Sequence, residues 1–135
     1  MTETRNLVPG ASDLLLGVEV EIDIPTDIRT FIDEVVDSFV MWDLLIFCSK
    51  KIGEMETPAR VAQMLGRPAD ELQKPVLKLE RMGLVTLEKR VDGEKACRLN
   101  TKSERYPLLQ QFWAYNESQE NRLRILSYLL QKKIR

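Results

Sequence analysis

The sequence predicts a mainly α-helical fold with one small β-hairpin, an α+β arrangement built by a chain of 135 residues. Apolar side chains recur at three-and-four spacing through residues 31–48, 57–82 and 105–135, which is the period of an amphipathic helix. Residues 84–100 instead suit two short strands joined at Asp92-Gly93, a dipeptide typical of hairpin turns. A chain of this length buries a core without disulfide or metal support.

The first 25 residues predict a polar arm followed by a single strand. Apolar and acidic side chains alternate from Val18 to Ile24, which is the pattern of a half-buried strand, and Pro25 ends it. Because one strand is not stable alone, we expect it to pair with the hairpin or with a partner chain.

The first helix is expected to begin at Thr26-Asp27 and to continue through Phe31 as far as Cys48. Its second half is apolar on more than one face, which places that half at the centre of the core. Two lysines just before Gly53 favour the end of the helix there.

Two shorter helices follow, joined by a turn. Thr57 and Pro58 form a capped start for the first of them, and Gly66 ends it. The second helix turns one apolar face inward, formed by Leu72, Val76, Leu79 and Met82. Pro75 removes a backbone hydrogen bond inside this helix, at a cost of about 3 kcal/mol. The helix therefore either kinks at Pro75 or effectively begins near Lys74.

The register of the hairpin follows from its apolar residues. A two-residue Asp92-Gly93 loop would place Leu87 opposite Arg98 and divide the apolar side chains between conflicting faces. A three-residue loop, Val91-Asp92-Gly93, supplies glycine where a left-handed residue is needed and gathers the apolar side chains on one face. This loop pairs Arg90 with Glu94, Leu87 with Cys97, and Val85 with Leu99.

From residue 105 onward the sequence predicts either two helices or one long helix with an exposed middle. A first apolar cluster, around Leu109 and Phe112, is followed by the polar stretch 114–122. The second cluster contains leucines at heptad-like spacing, namely Leu123, Leu126 and Leu130. This spacing favours contact with a second copy over a role in the core of one copy.

Charge is distributed unevenly along the chain, although the formal net charge is only −1. Residues 1–47 hold 10 Asp or Glu and 2 Lys or Arg, whereas residues 48–135 hold 11 Asp or Glu and 18 Lys or Arg. This asymmetry predicts one acidic end and one basic working surface, unless both halves are merely solvated faces.

The composition argues against several classes of protein. The chain contains no histidine, which removes Ser-His-Asp and Cys-His triads, and we expect neither an enzyme nor a cofactor or metal. No apolar run reaches the roughly 20 residues of a membrane-spanning helix and no signal peptide is visible, so we expect a cytoplasmic protein without membrane contact. Cys48 and Cys97 match no zinc motif, and are either two small buried side chains or a redox-sensing pair.

The segment TPARVAQMLGRPADELQKPVLKLERMGLVTLEKRVDGEKACRLN, about a third of the chain, resembles winged helix-turn-helix transcriptional regulators of the MarR and ArsR type. Its most specific part is LERMGLV leading directly into a basic hairpin. The resemblance implies a winged helix-turn-helix domain over residues 26–104. The N-terminal arm and strand over 1–25 are extra, and residues 105–135 form a C-terminal helical dimerisation segment.

The resemblance also implies sequence-specific duplex DNA binding by a small homodimeric transcriptional regulator. In such regulators the third helix enters the major groove and the wing touches the DNA backbone. The candidate DNA-binding residues are Gln73, Lys74, Lys78 and Arg81 on the third helix, and Lys89, Arg90, Lys95 and Arg98 on the wing. The candidate dimer-interface residues are Leu109, Phe112, Leu123, Leu126 and Leu130. Gln73 suits an adenine edge and Lys74 a guanine edge.

The alternative is a protein–protein interaction module or adaptor without DNA binding, because one fold serves several functions. Asp70 and Glu71 would face phosphates at the start of the third helix, and Pro75 alters how far Gln73 and Lys74 reach. A small-molecule effector would require a pocket between the first and last helices. The aromatic and apolar residues there, which form either that pocket or ordinary core, are Phe39, Met41, Trp42, Trp113 and Tyr115.

Overall fold

The computed structural model describes the backbone of residues 22–134 and confirms a mainly helical chain with a small antiparallel sheet. The helices are α1 Thr26–Val35, α2 Phe39–Ser49, α3 Pro58–Leu65, a 3-10 turn Ala69–Leu72, α4 Gln73–Arg81, α5 Tyr106–Tyr115 and α6 Gln119–Ile134. The strands are β1 Met55–Glu56, β2 Val85–Lys89 and β3 Lys95–Leu99. No helix among residues 22–134 combines the length and the apolar character needed to cross a bilayer.

The prediction of one long first helix is wrong, because residues 36–38 interrupt it and separate α1 from α2. Ser38 caps α2, and its Oγ accepts a hydrogen bond from the Met41 N–H at 3.1 Å. Val35 and Val36 lie on either side of the end of α1, and both are fully buried. The apolar spacing therefore continues across the break, and periodicity alone does not reveal it.

The first of the two helices that follow begins and ends where its capping residues predict. Thr57 Oγ1 accepts a hydrogen bond from the Arg60 N–H at 3.2 Å, and Gly66 ends α3 with a φ of 69°. The 3-10 turn then precedes α4, so Pro75 lies in the first turn of α4. An amide in the first turn has no partner within the helix, and proline is accommodated there without loss. The helix accordingly begins at Gln73, which agrees with the second of the two alternatives.

The hairpin has the predicted register, but it belongs to a three-stranded sheet in the order β1-β3-β2. Val85 pairs with Leu99 and Leu87 with Cys97, and the Arg90 N–H donates to the Glu94 carbonyl at 2.7 Å. Gly93 has a φ of 90°, a left-handed conformation that favours glycine. The additional strand β1 pairs Met55 with Arg98 and Glu56 with Cys97. A sheet of two strands was therefore an incomplete prediction.

The predicted strand over Val18–Ile24 is not formed in its described part, residues 22–24, while 18–21 lie outside the described residues. Ile24 is instead buried in the core, only 2% exposed. Its carbonyl accepts from Arg29 Nη2 at 3.1 Å, and the Asp23 carbonyl accepts from the Tyr115 hydroxyl at 3.5 Å. Both carbonyls accept hydrogen bonds from side chains instead of from a neighbouring strand, so residues 22–24 form no β-ladder.

The C-terminal region forms two helices, and α5 packs into the same core as α1 and α2. Leu109 and Phe112 are fully buried, with the Phe112 ring centroid 5.3 Å from that of Phe31. Neither can contact a second copy, so their assignment to a dimer interface is wrong. Leu123 and Leu130 are 54% and 40% exposed on α6, while Leu126 is half-buried.

A polar cluster joins α6 to α1. The Tyr128 hydroxyl and Lys132 Nζ both donate to Asp33 Oδ1, at 2.7 and 2.6 Å. Burial opposes ionisation of this carboxyl, but the bonds from Lys132 and Tyr128, together with the nearby charges of Lys132 and Arg29, hold the pKa of Asp33 below its ordinary value. Burial, with the hydrogen bond to Asp33, raises the pKa of Tyr128 to about 12.

Candidate nucleic-acid interface

The outward face of α4 is basic at both ends and apolar in the middle. Leu72, Val76 and Leu79 point into the core, which fixes the orientation of the helix. Lys74, Leu77 and Arg81 are all exposed, and their spacing of three and four residues puts them in one stripe on the opposite side. Gln73, also exposed, and Lys78 lie on either side of this stripe. We call Lys74, Leu77 and Arg81 the outward stripe.

Lys78 is held by the loop between α1 and α2. Its Nζ donates to Asp37 Oδ2 at 3.0 Å, and its side chain is 23% exposed. Asp37 itself is about half exposed, which makes this a partly screened ion pair. Of the four helix residues predicted to contact DNA, Lys78 is thus the one already engaged by an acidic side chain.

The turn before α4 is fixed by Arg67. This guanidinium donates to Asp43 Oδ2 on α2 at 2.5 and 3.0 Å and to Glu71 Oε1 at 3.3 Å. The hydrogen bond to Asp43 raises the pKa of Arg67, although burial acts in the other direction. Asp70 and Glu71 are exposed beside the first turn of α4. The acidic side chains that complicate DNA contact in the sequence therefore lie on the surface next to the outward stripe.

The hairpin presents a second basic group. Lys89, Arg90 and Lys95 are exposed, and the register places Lys89 directly opposite Lys95. Arg90 lies 3.6 Å from Asp92 across the tip, while Arg98 lies 3.3 Å from Glu88 and is only half-exposed. Lys89, Arg90 and Lys95 are consequently the hairpin side chains best placed to meet an anionic partner.

A surface cleft of about 680 Å³ joins α4 to the start of α2. Lys74, Leu77 and Arg81 line it from α4, and Asp37 and Val40 line it from the other side. The cleft therefore combines basic, acidic and apolar walls around the outward stripe.

The aromatic residues between the first and last helices are largely committed to internal contacts. Trp42 Nε1 donates to Asn116 Oδ1 and Trp113 Nε1 to the Leu45 carbonyl, each at 2.9 Å. Met41 is fully buried, and Phe39 lies against Trp42 with ring centroids 6.4 Å apart. Of the five residues proposed for an effector pocket, Trp42 lines a cleft of about 330 Å³ between α2 and the start of α6.

The two cysteines are free and partly buried in the same region of the core. Burial, with a smaller effect of Cys97, raises the pKa of Cys48 to about 12. Burial also raises the pKa of Cys97, whose thiol donates to the Glu56 carbonyl at 3.2 Å. Both thiols are therefore protonated and poorly nucleophilic at neutral pH. Within residues 22–134, no cluster of three or more acidic or cysteine side chains is arranged to hold a metal ion.

The chain matches no protein-family model, and no match was found among curated proteins.

Two residues that shape this surface were not among the candidates from the sequence. Leu77 is apolar, whereas the residue types that hydrogen-bond to bases or phosphates, and so mark a DNA-contacting helix in sequence, are polar. Asp37 was missed because its contact with Lys78 spans 41 residues of sequence. The helical spacing of Leu77 from Lys74 and Arg81 is a sequence signal that could have identified the first, whereas no local signal marks the second.

Proposed function

We propose that this protein is a winged-helix DNA-binding regulator that acts as a homodimer. In this proposal α4 enters the major groove and the β2–β3 hairpin is the wing on the DNA backbone. The order α2, β1, α3, α4, β2, β3, with β1 on the outer side of β3, supports this fold. A helix of this kind fits the width of the major groove. A cytoplasmic location is part of the same proposal.

The observation that carries the proposal is the like-charge pair in the hairpin. Lys89 and Lys95 lie directly opposite one another in the ladder, and Arg90 follows at the tip. Like charges in this position destabilise an isolated hairpin. A phosphate backbone would relieve that repulsion and gain affinity from each contact. Residues 73–99 hold seven Lys or Arg against four Asp or Glu, so the helix and hairpin together are positive in a chain of net charge −1.

The homodimer is supported by the exposed face of α6. Leu123 and Leu130 are separated by two helical turns and remain exposed on the same side of the helix. Because only about half of each side chain is still exposed, covering both against a second copy would contribute about 1 kcal/mol for each side chain. A two-fold dimer would then present two copies of α4 to half-sites about one DNA turn apart, roughly 34–36 Å.

The test is a mobility-shift titration on random duplex DNA across a range of salt concentrations. The hairpin variant is Lys89→Ala/Arg90→Ala/Lys95→Ala. Its control, Lys50→Ala/Lys102→Ala/Arg105→Ala, removes the same charge from exposed residues outside α4 and the hairpin.

We expect wild-type affinity to fall steeply with salt. A dimer losing six phosphate contacts should show a salt slope shallower by about 5, because each contact contributes about 0.9. Equal losses in the hairpin and control variants would mean that net charge alone drives binding. Absence of binding by the wild type at low salt would refute the proposal.

The second candidate is a protein-interaction module, and the acidic residues next to α4 favour it. Asp37 forms an ion pair with Lys78, and the exposed side chains of Asp70 and Glu71 would repel phosphates near the first turn of α4. An adaptor of this type would dock through its acidic N-terminal segment. The discriminating test is a pull-down with residues 1–21 deleted, because Ile24 belongs to the core and must be retained. Loss of partner capture in that variant, with capture unchanged in the hairpin variant, would favour the adaptor.

A further inference from the structure

An apolar side chain occupies the middle of an otherwise charged surface. Leu77 is 46% exposed on α4, one turn away from Lys74 on one side and from Arg81 on the other. Pro75 and Val40 line the same cleft and extend its apolar area. Single exposed leucines are common, but this one sits between the two cations best placed to meet a partner.

The flanking charges restrict what can cover Leu77. A partner that covers the stripe is complementary to it when it places anionic groups against Lys74 and Arg81 and an apolar group against Leu77. Duplex DNA meets both requirements in its major groove. Phosphates border the groove, and the C5-methyl group of thymine is the apolar group that its base pairs expose there.

We infer that Leu77 contacts the C5-methyl group of a thymine and makes the protein prefer duplexes with thymine at that position. The inference rests on the proposed function and names the base feature that α4 selects. Neighbouring Gln73 and Lys74 then hydrogen-bond to base edges or phosphates, and Leu77 supplies the apolar contact. Burial of one methyl contributes about fourfold in affinity, since it is worth about 0.8 kcal/mol and 1.4 kcal/mol is tenfold.

The experiment removes the thymine methyl and nothing else from the base. Duplexes are first enriched by wild-type protein from a random pool, then re-amplified with either dTTP or dUTP. The affinity of each pool is measured by mobility shift for wild type, Leu77→Ala and the control Ile52→Ala. Ile52 is exposed to a similar degree, 47%, but lies in the turn before β1. Alanine favours the helix, so Leu77→Ala should retain the fold, which circular dichroism checks.

We expect wild type and Ile52→Ala to bind the uracil pool about fourfold more weakly for each contacted methyl, or about 15-fold for a dimer. Leu77→Ala should bind both pools equally. A wild type that does not distinguish the pools would overturn the inference and leave the proposed function standing, as would a Leu77→Ala variant that still prefers thymine. If the wild type binds no duplex, no pool can be enriched, and the proposed function and this inference both fall. An acidic protein partner then becomes the occupant of the stripe.

Discussion

Under the proposed function, removal of the carboxylate of Asp37 should strengthen DNA binding. In the free protein Lys78 Nζ lies 3.0 Å from Asp37 Oδ2. To contact a phosphate, Lys78 must either break its bond to this carboxylate or bring the phosphate close to the carboxylate, where the two negative charges repel. Asp37→Asn keeps the size of the side chain and abolishes the competition.

The magnitude follows from the exposure of the pair. Asp37 is 53% exposed, so solvent screening limits the ion pair to about 0.2–1 kcal/mol. Its removal should tighten binding by up to about fivefold for each copy, and by up to about 25-fold for a dimer. One new phosphate contact in each copy should steepen the salt slope by about 2. Folding stability should fall by about 1 kcal/mol or less, since the exposed pair and a favourable charge near the start of α2 are lost.

The assay is the mobility-shift titration at several salt concentrations, with Glu34→Gln as the matched control. Glu34 forms a similar exposed ion pair, with Arg105 Nη1 at 3.2 Å, but its partner is outside α4. The proposed competition between Asp37 and phosphate is refuted if Asp37→Asn binds no more tightly than wild type. It is also refuted if Glu34→Gln strengthens binding equally, since overall charge would then account for the effect.

Four further results are expected. Phe112→Ala should lose about 3–5 kcal/mol of unfolding free energy in chemical denaturation. If the protein forms the proposed homodimer, Leu123→Asp/Leu130→Asp should leave the monomer folded and shift sedimentation from dimer to monomer. Asp33 has a depressed pKa when folded, so its stabilisation is full above its unfolded pKa of about 3.9 and is lost as pH falls through the lower folded value. Asp33→Asn should therefore be less stable than wild type at neutral pH, and urea titrations should show this gap closing in strong acid. Cys48, buried with a raised pKa, should escape alkylation at neutral pH until denaturant is added, as measured by peptide mass spectrometry.

The sequence predicts those parts of the fold in which local chemistry and packing agree. The hairpin register is correct because only the three-residue loop puts the apolar residues on one face while giving Gly93 a left-handed position. The start of α3 is correct because Thr57 caps it through a contact only three residues away. In both cases a side-chain requirement and a backbone requirement point to the same residue.

Other features leave no such signal. Strand β1 has two residues, too few for an alternating pattern, and it is defined by pairing with residues about 40 positions later. Phe112 was assigned to a dimer interface because an apolar residue looks the same in sequence whether its own core or a second copy covers it. The contact of Asp37 with Lys78 likewise depends on how distant helices pack.

The placement of acidic residues has a consequence for selectivity if α4 enters the major groove. Asp37 reduces the charge that Lys78 can offer to phosphates, and exposed Asp70 and Glu71 oppose them near the first turn. Phosphate contacts supply nearly all non-specific affinity, so these carboxylates weaken binding to every sequence. Contacts to base edges, such as that proposed for Leu77, do not depend on net charge, so they set the ratio of specific to non-specific binding. Asp37→Asn should therefore tighten specific and non-specific complexes by about the same factor and leave the ratio between them close to that of wild type, even though its total affinity is higher.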